Sequence, residues 1–157
     1  MSTTRANAYR LPQPTSPASA ALATATLLAV FVWTFWVFLE RQFRFAIEQQ
    51  ADWGHTLVIP FIAGWFVWLN RGRILAQPLR PSTTGLVLIA LGVAWYSVAA
   101  LGPVWMRHHN LMGMGVGAVI FGVVLAFCGW RAMRWLWFPV LYLIIFGQTV
   151  SDRFLEM

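Results

Sequence analysis

Charge is scarce in this chain. Only 10% of its 157 residues are Asp, Glu, Lys or Arg, while 59% are hydrophobic. Soluble domains carry roughly 25% charged and 45–50% apolar residues, so a soluble globular class is excluded. Lysine is absent, and all eleven basic residues are arginine. No mechanism follows from that bias. A single cysteine, Cys128, rules out an internal disulfide framework. The chain has no Cys-x-x-Cys-His string and no histidine pair at i, i+4, so no metal or other cofactor is assigned. No Asp, Glu or Arg lies in the middle of an apolar run, which counts against ion pumps and proton-coupled transporters. There is no detectable internal repeat. The net charge of +6 comes from arginines spread over the segments between apolar runs. That pattern points to membrane topology and not to nucleic acid.

Apolar and aromatic residues are abundant, including ten Trp and twelve Phe, as interfacial aromatic belts require. Residues 1–19 are polar, with Pro12, Pro14 and Pro17, and read as a disordered cytoplasmic tail. Five apolar runs follow, at about 20–39, 56–70, 84–101, 111–130 and 135–150. The first is long enough to cross a hydrocarbon core of ~30 Å. FLERQFR follows it, so it reads as an uncleaved signal anchor. The second run is short and spans only by drawing Trp53 and Asn70 into the interfaces, with Arg71 and Arg73 snorkelling. Pro60 falls in its first turn and Pro139 near the start of the fifth run. The expected fold is an all-α polytopic membrane bundle of about five helices.

Arginine counting sets the expected orientation. With the N-terminus cytoplasmic, the inner segments hold Arg5, Arg10, Arg71, Arg73, Arg80, Arg131 and Arg134. The outer segments hold Arg41, Arg44, Arg107 and Arg153, together with all five acids. His55 and the segment Arg107–Asn110 then share the outer face. Residues 40–50, with Phe43 and Ile47 at helical spacing, read either as a short amphipathic helix in the headgroup plane or as an extension of the first span.

Several residues invite a functional reading. His55 stands at the mouth of the second run, where an ionisable group is costly and marks a site. His108 and His109 are adjacent, so on a helix they point about 100° apart and suit an interfacial polar cluster better than one ligand site. Gly113 and Gly117 form a GxxxG pair that permits close helix approach. Cys128 ends an outward-to-inward run, so it is expected at the cytoplasmic face. There it cannot come within the ~3 Å that a nucleophile needs of a base at His55.

The stretch WGHTLVIPFIAGWFVWLNRGRIL resembles the exosortase/archaeosortase family, through Trp53, Gly54, His55, Leu57, Val58, Pro60, Arg71 and Arg73 in order. A second stretch, FCGWRAMRWLWFPVLYLIIF, is similar to another family block through Trp130, Arg131, Ala132, Arg134, Phe138 and Pro139, and reads as structural. The resemblance implies an integral protein of the bacterial inner membrane. It also implies a cysteine peptidase or transpeptidase acting on C-terminal sorting signals of exported proteins, of which the PEP-CTERM tail is the best-known class. The family's catalytic Cys, Arg and His lie in later spans, so the resemblance covers the N-terminal half of a member and no residue here matches the nucleophile. The expectation is therefore a chain inactive alone, with Trp53, Gly54, His55 and Pro60 near the expected site. The expected partners are the lipid bilayer, exported proteins with sorting signals and other transmembrane chains. The alternatives are a non-catalytic accessory subunit of a membrane complex, and a pigment- or haem-binding protein using His55, His108 or His109.

Overall fold

Five α-helices and two 3₁₀ turns account for nearly all of the structure, a computed structural model that describes residues 16–48, 54–77 and 80–146. No strand occurs among the described residues. The helices are α1 (Pro17–Thr34), α2 (Trp36–Glu48), α3 (Ile59–Leu75), α4 (Thr83–Leu101) and α5 (His109–Phe146), with 3₁₀ turns at Gly54–Leu57 and Val104–Met106. The expected tail lies outside the described residues except at its end. There Ser16 caps α1, its Oγ accepting from the Ser19 N–H at 3.1 Å, and Pro17 takes the first helical position, where a missing N–H is harmless.

The chain divides into two compact units, Met1–Thr34 and Phe35–Met157. In the first, α1 is apolar on all faces, with Leu22, Leu28, Val30 and Trp33 exposed. Its Thr26 hydroxyl donates back to the Leu22 carbonyl at 2.9 Å, which keeps a polar group satisfied among apolar neighbours. The run expected over 20–39 is divided at Phe35, a turn residue between α1 and α2.

The second unit is organised around α5. Thirty-eight residues of helix would measure about 57 Å, nearly twice the ~30 Å hydrocarbon core. Gly129 breaks it, with φ 73° and ψ 174°, a conformation closed to residues with a Cβ. The two parts, 109–128 and 130–146, are about 30 and 25 Å long. The second begins at Trp130, earlier than the run at about 135, so Pro139 sits inside a helix and not near its start.

Helix α4 lies antiparallel along the first part of α5, in a register set by glycine. A Cβ on Gly85 would lie 2.3 Å from the Ala126 nitrogen, and one on Gly122 2.8 Å from the Gly85 carbonyl oxygen. One turn pair further on, a Cβ on Gly92 would lie 2.8 Å from the Gly115 carbonyl, and one on Gly115 2.8 Å from that of Gly92. Seven-residue spacing on both helices brings backbone to backbone, where dispersion and C–H···O contacts replace the hydrophobic effect that lipid cannot supply. Gly113 and Gly117 are buried, but this approach is built on Gly115 and Gly122. The Trp95 indole donates to the Leu111 carbonyl at 2.8 Å and fastens the same pair.

Helix α3 packs on the second part of α5. Phe66 meets Phe138 edge-on at 4.8 Å, and Ile74 joins Leu125, Ala132, Met133, Leu136 and Val140 in one buried cluster. The Gly54–Leu57 turn leads into α3 without an extended residue between them. Val58 is in the helical region, and Pro60 falls in the first turn. Turn plus helix reach about 33 Å, which lengthens a run that was short on apolarity alone. α4 and α5 are each long and apolar enough to cross a membrane, and the pair α1 and α2 makes a third if counted as one span.

Candidate functional site

Residues at one end of the second unit gather around His109, the first residue of α5. Its ring lies flat on Phe38, with centroids 4.4 Å apart and planes 7° from parallel. Phe45 closes the side edge-on at 5.5 Å. Nε2 lies 2.5 Å from the Gln42 Oε1. An amide oxygen only accepts, so Nε2 carries the proton and Nδ1 keeps a lone pair. That Nδ1 is buried and has no hydrogen-bond partner.

Three residues of α2 thus hold one imidazole, because positions 38, 42 and 45 fall on one helical stripe. The same helix turns Phe43 and Ile47 outward and buries Phe38 and Ala46. α2 also touches the Gly54–Leu57 turn, so the turn that carries His55 and the helix that starts at His109 both meet α2. Tyr96 of α4 completes the end: it is buried, packs edge-on against Phe35 at 4.7 Å and hydrogen-bonds the Phe38 backbone. Along α2, Val37, Glu40, Arg41, Arg44 and Phe45 line a shallow pocket of about 340 Å³.

The residues singled out in the sequence distribute between two ends. His55 is exposed in its turn, and its carbonyl accepts from the Val58 N–H at 3.0 Å. Gly54 is half-buried and Pro60 exposed. Trp53 lies outside the described residues. His108 is exposed, and its carbonyl accepts from Met112 to start α5. The two adjacent histidines therefore part company, one outward and one into the aromatic cage. Among the described residues no group of three His, Cys, Asp or Glu side chains is placed to hold a metal.

Cys128, Trp130, Arg131, Arg134 and Pro139 occupy the other end. Nineteen helical rises separate Cys128 from His109, about 29 Å. Cys128 packs instead against the cluster that contains Ile74, at the end of α3 away from His55. Trp130, Arg131 and Arg134 are exposed and Pro139 is buried. The His109 cage was not legible in the chain as a sequence. Its signal, Phe38-x₃-Gln42-x₂-Phe45, becomes visible only once those residues are known to be helical and turned inward.

This is a helical integral membrane protein, with apolar α4 and α5 mated through glycine and polar groups gathered at helix ends. Its residues 47–156, well over half of the chain, match the model of the transmembrane exosortase family (Exosortase_EpsH), and the chain belongs to that family. No curated protein and no solved structure matches it significantly.

Proposed function

We propose that these residues form the scaffold and outer rim of a membrane enzyme that processes C-terminal sorting signals of exported proteins, and that they supply no nucleophile of their own. Family membership supports the reaction class, a cysteine peptidase or transpeptidase in which a thiolate attacks a peptide bond and an acyl-enzyme follows. The arginine distribution supports a cytoplasmic N-terminus in a bacterial inner membrane, which puts His55 and His109 at the external face, where exported substrates arrive. The observation that carries the missing nucleophile is the position of Cys128, the single thiol, roughly a bilayer's thickness along α5 from His109.

An accessory, non-catalytic subunit is the second reading. A glycine face on α5 open to a partner helix would support it. In the fold the face that carries Gly115 and Gly122 is taken by α4 of the same chain, which favours the first reading. The test is to incubate the purified 157-residue chain with a sorting-signal peptide, with and without a thiol-alkylating agent. No cleavage above background is expected. Cleavage abolished by alkylation would overturn the proposal.

A further inference from the structure

Independently of that reading, the end of the molecule at the Gly129 break carries a concentration of positive charge. Three segments converge there. α3 ends with Arg73 in its last turn, and its guanidinium lies 4.8 Å from the centre of the Trp135 ring. The Arg80 backbone lies against Gly129, where a Cβ would sit 2.1 Å from the Arg80 carbonyl oxygen. The second part of α5 opens with Arg131 and Arg134, both exposed. Glu40 and Glu48 are the sole acids among the described residues, and both are on α2. No carboxylate among the described residues answers these arginines.

Helix-end electrostatics do not explain the cluster. Arg71 serves its own helix, donating to the Trp68 carbonyl at 2.8 Å and stacking on that ring at 4.1 Å. Arg73 likewise suits a helix C-terminus. Arg131 and Arg134 stand at the start of a helical segment, where the peptide dipoles disfavour a cation. These segments bring four arginines to one end of the unit, with Trp130, Trp135 and Trp137 exposed on the same stretch of α5, the combination of residue types that membrane interfaces favour. Guanidinium forks match phosphate oxygens bidentately.

We infer that Arg73, Arg80, Arg131 and Arg134 form a docking site for the phosphate of an anionic phospholipid headgroup. Each arginine near a charged bilayer surface contributes enough that its loss weakens binding about fivefold, and loss of three about a hundredfold.

The test uses the full chain in detergent, with titrations of phosphatidylglycerol and of phosphatidylcholine followed by native mass spectrometry. Phosphatidylglycerol is expected to remain bound and phosphatidylcholine to dissociate. The combined variant Arg73→Gln, Arg131→Gln, Arg134→Gln should lose about a hundredfold in apparent affinity, while Arg44→Gln at the opposite end changes nothing. The Lys triple at the same positions retains charge but lacks the guanidinium fork, so its affinity should fall between those of the parent and the Gln triple. If the Gln triple does not fold, the single variants, each about fivefold weaker, decide the matter. Equal retention of both lipids, or unchanged binding in the Gln variants, overturns the site. Displacement of phosphatidylglycerol by millimolar inorganic phosphate would show a site for the free anion and overturn the assignment to lipid.

Discussion

The two ends of the second unit solve opposite problems. At the His109 end, one polar ring is sequestered: Phe38 and Phe45 enclose it, Gln42 satisfies one nitrogen, and the other faces no partner. At the Gly129 end, several charges are displayed, and the backbone is what is sequestered, with Arg80 pressed on a glycine. Buried polarity is tolerated when it is neutral and hydrogen-bonded. Displayed arginine is solvated and stays open to an anion from outside. The lesson is that side-chain packing specifies one end and backbone geometry the other, so the two should respond to mutation differently.

The largest effect is expected at the backbone end. Gly129→Ala forces a Cβ into a positive-φ conformation and onto the Arg80 carbonyl. It should cost on the order of 3 kcal/mol or prevent folding, read as loss of the monodisperse peak in detergent and a lower Tm. A Tm within error of the parent would show that backbone geometry at Gly129 does not specify that end. The seam follows. Gly92→Val would overpack against Gly115 and Val119 and should cost about 1–3 kcal/mol, whereas the same change at exposed Gly64, which has open space around it, should have little effect. Thermal unfolding of the pair measures the difference.

At the caged end, Gln42→Leu removes the acceptor for Nε2 and leaves a second buried imidazole nitrogen unpaired, at about 1–3 kcal/mol. His109→Phe replaces the ring by an apolar one that can keep the stack on Phe38, and should be milder than Gln42→Leu. The reverse order would show that the hydrogen bond contributes little to the cage. Smaller again is Cys128→Ala, which trims a half-buried thiol without a hydrogen-bonding role and should cost about 1 kcal/mol or less. The smallest effect is expected for Glu40→Gln. It breaks an exposed i, i+4 pair with Arg44 at 2.7 Å, worth about 0.3–0.5 kcal/mol at low salt and less as salt rises.

Much of this was legible in the chain. Apolar runs fix where helices form, because a backbone in lipid must satisfy its own hydrogen bonds. The blocks around His55 and Trp130 carry the family resemblance, which the family match bears out. Other features were ambiguous because the decision lay with a partner. Gly113, Gly115, Gly117 and Gly122 all offer a small face, and the spacing of Gly85 and Gly92 on α4 selects Gly115 and Gly122. His108 and His109 are chemically equal, and a rotation of about 100° decides that His109 meets Phe38 while His108 faces outward.

An all-α membrane protein of the exosortase family with a single thiol could be read from the order of residues alone, since hydropathy, composition and local motifs act over a few residues and need no distant partner. Which glycines mate, where α5 breaks, and that Phe38, Gln42 and Phe45 close on His109 emerge only when the helices pack. Those outcomes depend on contacts between segments tens of residues apart, where a side chain's meaning is set by what the fold places against it.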